Sequence, residues 1–236
     1  MGYSVAMCGR FTLKAKVRDL ERFFAAMALV DLEPRYNIAP MQPVLIARSD
    51  RDSNQRLLHY VSWGLVPRWT KDPAMGAKLF NARSETAAEK PSFKDALRYR
   101  RCLIPADGFY EWAKLSVGRQ PYHFRLRSGK TMAMAGLYET WTGPTGEQLE
   151  SCAVLTTRAN ALLEPVHDRM PVIISPPQID HWLDPAVQAP EEVMSLMRPH
   201  PAELMESHPV GRRVNRASEQ GEGLASPVQL DGGLFD

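Results

Sequence analysis

The sequence has few cysteines, no long apolar run and almost no excess of either charge. Cys8, Cys102 and Cys152 are scattered and form no CxxC pair. This spacing argues against a disulfide framework or a structural zinc site and indicates a reduced cytosol. No stretch approaches the ~18 apolar residues of a membrane span. The 29 basic and 27 acidic residues leave a net charge of +2. Any nucleic-acid contact must therefore come from a local basic groove.

The length and composition indicate one globular domain. The chain has 236 residues, of which 44% are hydrophobic and 24% are charged, and it contains no internal repeat or Gly-rich linker before the C-terminal stretch. A chain of this size can bury a substantial core. We expect a leader over residues 1–7, a domain over 8–216 and a mobile, polar, Gly-rich tail over 217–236.

Hydrophobic periodicity predicts a mixed α+β fold. The segment from Val17, VRDLERFFAAMALV, places Leu20, Phe23, Phe24 and Met27 on one helical face. Shorter helices are predicted for SFKDALRYR, PPQIDHWL and EEVMSLM. Strands are predicted for VLIAR, LLHYVSWGLV, SCAVLTTRA, MPVIIS and ESHPVGRRVN, and RCLIPADGFYEW is predicted to form a strand, a turn and a second strand.

The strand connections predict how these elements assemble. YHFRLRS and TMAMAGLYETW, joined by a turn at SGKT, are predicted to form a β-hairpin. Strands joined by short turns, without regular βαβ alternation, favour a largely antiparallel, barrel-like sheet surrounded by helices. The long segment PRWTKDPAMGAKLFNARSETAAEKP has little periodicity, and segments of this kind are usually functional or disordered.

Four short motifs place polar, reactive groups in loops or at strand ends: MCGRF (7–11), NARSET (81–86), GFYEW (108–112) and HDRMP (167–171). None is specific alone. A single loop histidine is more often structural than catalytic, and a Glu between aromatics can be an edge-strand charge. An Asn-Ala-Arg run can be turn chemistry with a solvated Arg.

Taken together and in this order, the motifs are specific. The motifs that carry a family resemblance are MCGRF, RYNIAP, WGLVP, NARSET, DGFYEW, HDRMP and the late HPV and VN. From Cys8 to about Asn215 the sequence resembles the SRAP family of SOS-response-associated peptidases, or abasic-site processing proteins. The resemblance implies a single-domain α+β fold with a basic channel for single-stranded DNA. It also implies that an N-terminal cysteine captures the aldehyde of an abasic site as a thiazolidine crosslink, which shields the lesion.

The resemblance assigns roles to residues of this sequence. Cys8 matches the reactive cysteine, Asn81 the asparagine that positions sugar and amine, and Glu111 and His167 the acid–base pair. The positions implied to contact DNA are Arg10, Asn37, Pro40, Trp69, Arg83 and Arg169. No metal or organic cofactor is implied. The expected partner is single-stranded DNA with abasic sites, no membrane contact is expected, and the protein is expected to be a monomer. A cytoplasmic location, nucleoid-associated in a bacterium, follows.

Elementary chemistry agrees with these roles. An α-amine with a pKa near ~8 is partly neutral at pH 7 and can add to an aldehyde. A carboxylate such as Glu111 can move the protons that imine formation needs, and burial among aromatics would raise its pKa. His167 could protonate the sugar ring oxygen, and Asp168 either orients His167 or caps a loop.

Arg83 and Arg169 could each bind a phosphate by two hydrogen bonds, and Trp69 could stack on a base.

Six residues precede the MCGRF methionine, and an amide on Cys8 cannot form an imine. Three explanations of the leader stay open: translation starts at Met7, which we favour; the protein itself cuts the leader off; or the leader is a product of annotation or cloning. Two other functions stay open. Cys8 and His167 could form a thiol peptidase, with Cys8 as nucleophile and Glu111 or His167 as base. Alternatively, the chain could be a non-covalent single-strand binding module.

Overall fold

The computed structural model describes residues 8–50, 53 and 55–229, so the predicted leader and the last seven residues of the predicted tail lie outside the described residues. The α+β prediction is confirmed. The strands are β1 Phe11–Leu13, β2 Met27–Ala28, β3 Arg35–Ile38, β4 Pro43–Ser49, β5 Arg56–Trp63, β6 Asn81–Arg83, β7 Arg101–Ala106, β8 Gly108–Lys114, β9 Arg119–Leu126, β10 Met132–Thr142, β11 Gln148–Arg158, β12 Arg169–Pro171, β13 Ile173–Ile174 and β14 Met205–Pro209. The α-helices are α1 Val17–Phe24, α2 Lys94–Tyr99, α3 Ile179–Leu183 and α4 Pro190–Met194.

Five strands close into a barrel. Antiparallel pairing connects β11, β10, β7, β4 and β5 in that order. Parallel pairing of β5 with β11, with Ser62 opposite Ser151 and Trp63 opposite Cys152, completes the ring. Closure leaves these five strands without a free edge. The barrel interior and the surrounding helices share one buried apolar core.

A second, antiparallel sheet carries the site. Its strand order is β14, β9, β8, β1 and β3. Because side chains alternate along β8, Phe109 and Glu111 face the main core, whereas Tyr110 and Trp112 face the opposite side. Phe11 of β1 packs edge-on against Trp63 of the barrel, with ring centroids 5.2 Å apart. This contact fixes the sheet against the barrel.

Gly108 at the start of β8 is required by close packing. A Cβ atom there would lie 2.2 Å from Nε2 of His123, which occupies the neighbouring strand β9. No side chain larger than hydrogen fits without moving His123. The glycine of the DGFYEW motif thus lets β8 and β9 pack closely, next to the strand position of Glu111.

Two local predictions differ from the structure. The first helix ends at Phe24 rather than continuing through Val30, because Ala25 adopts the left-handed conformation. Met27 therefore lies on β2 and is half exposed instead of completing the helix face. The predicted hairpin is also wrong. Its first strand, β9, pairs with β8 and β14, whereas β10 belongs to the barrel.

The predicted mobile tail is packed against the domain as far as residue 229. Asn37 is fully buried, and its amide nitrogen donates to the carbonyl oxygens of Val214, Arg216 and Glu219 at 2.9–3.2 Å. Leu224 is buried as well, within a short 3₁₀ turn. The described part of this stretch therefore contacts the domain through its backbone.

Other short 3₁₀ helices connect the main elements. They are Pro73–Lys78, Pro176–Gln178, Ala202–Leu204, Arg212–Asn215 and Glu222–Ala225. Among the residues that the structure describes, no helix is long and apolar enough to cross a membrane.

Candidate active site and nucleic-acid interface

The centre of the site is a contact between the main-chain nitrogen of Cys8 and the carboxylate of Glu111. The nitrogen donates to Oε1 at 2.6 Å. Strand pairing positions both groups, since β1 pairs with β8 and the Tyr110 N–H donates to the Arg10 carbonyl. Cys8 has a φ of 39°, which costs an L-residue on the order of 1 kcal/mol. Such strain is found most often at functional sites.

Burial sets the protonation of both groups. Glu111 is 1% exposed, and its burial raises the pKa of this carboxyl to about 7, against the lowering effect of N–H bonds from Cys8 and Trp112. The negative charge of Asp168 raises it further. Burial, followed by the nearby Glu111 carboxylate, raises the pKa of the Cys8 thiol, while Arg169 lowers it. The thiol is therefore neutral at pH 7, whereas Glu111 can both give and accept a proton.

A backbone N–H determines which ring nitrogen of neutral His167 carries the proton. The Arg169 N–H donates to Nδ1 at 3.0 Å, so the neutral ring carries its proton on Nε2. Burial lowers the pKa of His167, and Asp168 raises it. One carboxylate oxygen of Asp168 lies 3.0 Å from the same Nδ1, but that side chain is 85% exposed. The fixed amide of Arg169 is the contact that defines the tautomer.

Arg169 is tied to Glu85 and to β11. Nη1 and Nη2 donate to the two carboxylate oxygens of Glu85 at 2.6 and 2.7 Å. Nη2 also donates to the Thr156 carbonyl at 2.7 Å. The two-bond phosphate grip expected for Arg169 is therefore not available here, because the fork of its guanidinium already holds a carboxylate. Arg169 is a buried cation close enough to Cys8 to act on its thiol.

Asn81 and Arg83 lie on β6, which runs parallel to β11. Asn81 pairs with Val154 and is half-buried, while Arg83 pairs with Thr156 and is exposed. Their side chains share one face because they are two residues apart on a strand. Arg83 is exposed, and its contact with a phosphate stays a prediction.

Trp69 and Pro40 both have accessible surface. The Trp69 indole is 58% exposed, and its Nε1 donates to the Pro91 carbonyl at 3.4 Å. Pro40 is half-buried and is followed by the exposed Met41. An exposed indole held by one hydrogen bond can stack on a base without repacking the core.

Arg10 and Asn37 serve the structure of the domain. Nη1 of Arg10 donates to Oδ1 of Asn37 at 3.1 Å and to the Val214 carbonyl at 2.8 Å. Asn37 is buried beneath the same C-terminal segment. None of the surface of Asn37 is accessible in this structure, and its contact with DNA stays a prediction. The part-buried Arg10 guanidinium is largely engaged by carbonyls of the chain itself.

The family profile described as SOS response associated peptidase (SRAP) matches residues 7–217. The chain belongs to the SRAP family. It is 43% identical over 213 residues to abasic site processing protein YoqW of Bacillus subtilis (strain 168), covering 89% of this chain and 94% of that protein. It is 35% identical over 227 residues to abasic site processing protein HMCES of Gallus gallus, covering 84% and 67%.

Solved structures share the SRAP chain's fold. A protein from Bacteroides thetaiotaomicron superposes with a TM-score of 0.85 at 24% identity, covering 94% of this chain and all of that one. A phage-related protein from Bordetella bronchiseptica superposes with a TM-score of 0.70 at 28% identity, covering 86% and 94%.

Glu85 and Thr156 are site residues that the sequence analysis of this SRAP chain missed. Glu85 anchors Arg169, and Thr156 supplies the carbonyl that receives the same guanidinium. A signal was present for Glu85, which lies within NARSET, two residues after Arg83. Thr156 had no comparable signal, since its role comes from a main-chain oxygen that any residue provides.

Proposed function

We propose that this protein captures abasic sites in single-stranded DNA as a thiazolidine crosslink through Cys8 and thereby shields the lesion in the DNA damage response. The observation that carries the proposal is the 2.6 Å contact between the Cys8 nitrogen and the buried Glu111 carboxylate. Membership of the SRAP family and relatives named abasic site processing proteins support this substrate class. The reaction requires that the Cys8 nitrogen be a free amine.

The covalent chemistry uses the two nucleophiles of one residue. The neutral amine adds to the C1′ aldehyde of the opened sugar to give a carbinolamine, which loses water to become an imine. The Cys8 sulfur then adds to the imine carbon, and its proton passes to the nitrogen. The net change is loss of one water, and the five-membered ring removes the imine that would promote strand cleavage.

Glu111 is suited to both proton transfers of imine formation. With a pKa of about 7, it is divided between its acid and base forms near neutral pH. As a base it takes the proton that the amine loses on addition, and as an acid it protonates the departing hydroxyl. Once the amine is free and protonated, its positive charge at hydrogen-bond distance would lower the pKa of Glu111. The titrations of the amine and the carboxyl would therefore depend on each other.

His167 and Asn81 complete the proposed catalytic set. The Nε2–H of neutral His167 can donate to the sugar ring oxygen and favour the open-chain aldehyde. Asn81, on the strand next to β11, would orient the sugar and the amine. Arg83 and Trp69 would bind a phosphate and a base, so recognition depends on the lesion and on single-strandedness.

Self-removal of residues 1–7 is a second candidate activity, favoured by the same contact. The scissile bond would join residue 7 to the nitrogen that donates to Glu111. As an acid, Glu111 could protonate that nitrogen as it leaves, while the Cys8 sulfur attacks the carbonyl of residue 7 and its proton passes to the carboxylate. Residues 1–7 are then held on Cys8 as a thioester, and a water molecule hydrolyses this thioester, which releases them and restores the thiol. The raised pKa of the thiol weakens the case for a general cysteine peptidase, which needs a thiolate.

Intact-mass measurement tests the proposal. The chain is measured before and after incubation with a single-stranded oligonucleotide carrying one abasic site. A chain beginning at Cys8 that gains the oligonucleotide mass minus one water supports the mechanism. Cys8→Ser should abolish the stable adduct, and Cys102→Ala serves as the control, since Cys102 is buried in the barrel. An adduct on a chain that retains residues 1–7 would refute the thiazolidine mechanism.

A further inference from the structure

A groove of about 280 Å³ opens beside the candidate site and is not used by the proposed reaction. It lies between the ends of β6 and β11 and the chain following α4. Glu85 and Arg158 form one wall, and Met194 and Arg198 form the other. Because Glu85 also binds Arg169, the groove begins at the ion pair next to the reactive centre.

The groove carries uncompensated positive charge. Arg158 and Arg198 are both exposed, and neither guanidinium has a hydrogen bond or an ion pair with any residue in the described part of the chain. The acidic group of the groove, Glu85, is neutralised by Arg169. The chain as a whole has a net charge of only +2, so two free arginines in one groove are a local feature.

The groove also continues the face that holds Arg83. Thr156 pairs with Arg83 across β6 and β11, and Arg158 follows two residues later on the same side of β11. Two strand residues span about 6.6 Å, so the cations follow one another along the strand edge. Met194, half exposed on the opposite wall, adds apolar surface. Spaced cations beside apolar surface match a single nucleic-acid strand, which presents phosphates and flat bases in turn.

We infer that this groove binds the strand flanking an abasic site on one side, with Arg158 and Arg198 each contacting a phosphate. The inference rests on the proposed function and extends it from the lesion to its neighbouring nucleotides. The groove leaves the site in one direction only. The inference therefore predicts that the protein contacts the strand on one side of the lesion, either the 5′ or the 3′ side.

The test uses oligonucleotides with a tetrahydrofuran abasic analogue, which has no aldehyde and reports non-covalent binding. One oligonucleotide is short on both sides, and two others are extended on one side only. The full chain is compared with an Arg158→Ala/Arg198→Ala variant. The control is Lys16→Ala/Arg18→Ala, which removes the same charge from the N-cap and first turn of α1.

The double variant should lose about tenfold in affinity for one extended oligonucleotide only, and its salt slope should fall by about 1.4, or ~0.7 per lost phosphate contact. The control variant should match the wild type. Equal losses on all three oligonucleotides, or no loss, would overturn the inference. Crosslinking of a short reactive oligonucleotide should stay unchanged. If the wild-type protein bound none of the oligonucleotides, the proposed function itself would fail.

Discussion

Arg169 and Glu85 form a two-bond ion pair that joins the loop after β6 to the first residue of β12. The same Arg169 supplies the N–H that fixes the ring of His167. The pair therefore connects two motifs that are 84 residues apart in the chain. Glu85 is half exposed, and Arg169 is nearly buried. Removing Arg169 would leave a carboxylate in contact with water, whereas removing Glu85 would leave a buried guanidinium without its counter-charge.

A double-mutant cycle on this pair should reveal its strength. Glu85→Gln leaves a buried guanidinium without its counter-charge and should destabilise the fold by about 1–2 kcal/mol, less than a fully buried pair because Glu85 is half exposed. Arg169→Met and the double variant complete the cycle. Urea unfolding should give a coupling energy of about 1 kcal/mol or more. A value near zero would show that the pair contributes nothing.

Glu111→Gln should change how stability depends on pH. Glu111 has a raised folded pKa of about 7, against 4.5 ordinarily, so the folded state holds its proton more tightly than the unfolded chain. The protonated Glu111 therefore stabilises the fold fully below pH 4.5, and this stabilisation is lost as the pH rises through 7. At pH 8 the variant should be more stable than the wild type by roughly 3 kcal/mol, and at pH 4 the gain should vanish. Denaturant titrations at both pH values measure this difference.

The same substitution should remove the proton shuttle. Crosslinking by a chain that begins at Cys8 should slow by about 10²- to 10⁴-fold, the usual contribution of a positioned acid–base group. The amide oxygen of Gln can still accept from the Cys8 nitrogen, so substrate binding should persist. A variant that crosslinks at the wild-type rate would remove Glu111 from the mechanism.

His167 and Asp168 should differ sharply when replaced. His167→Ala should slow crosslinking by about 10²-fold or more at pH 7, because no other group in the proposed set donates to the ring oxygen. Asp168→Asn should leave the rate within about threefold, because the Arg169 amide, not the exposed carboxylate, defines the tautomer. Single-turnover rates provide the comparison. A larger loss in Asp168→Asn would mean that the carboxylate orients the ring.

Asn37→Ala should weaken the fold and leave DNA contacts intact. Three carbonyl oxygens would each lose one donor, and the Arg10 guanidinium would lose one acceptor. We expect a loss of about 2–4 kcal/mol in unfolding free energy and faster proteolysis within residues 217–229. Affinity for an abasic oligonucleotide should change less than in Arg83→Ala. The reverse ranking would support a DNA contact by Asn37.

The sequence predicted the elements better than their pairing. VLIAR and SCAVLTTRA form strands, and SFKDALRYR contains α2, because local periodicity decides such elements. The turn at SGKT marks a chain reversal, but it does not specify pairing partners. β9 pairs with β8 and β14, whereas β10 pairs with β7 and β11, and all four of these partners are distant from the SGKT turn in the sequence.

Long-range polar contacts account for the remaining errors. Nothing local in NARSET indicates that Glu85 will meet Arg169, and nothing near Asn37 shows that its amide will hold residues 214–219. Both contacts satisfy buried polar groups, a requirement that applies to the folded chain as a whole. A polar, Gly-rich stretch therefore resembles a mobile tail until the partner of its backbone is known.

The contact between Cys8 and Glu111 spans 103 residues of chain, and this separation has a consequence in time. At roughly 5–20 residues per second, synthesis reaches Glu111 on the order of 5 to 20 s after Cys8. A cellular enzyme can trim the nascent chain during that interval, before any carboxylate holds the Cys8 nitrogen. Self-removal has to wait until both strands are made and paired. The age of a newly made molecule when its amine first appears therefore distinguishes the two origins.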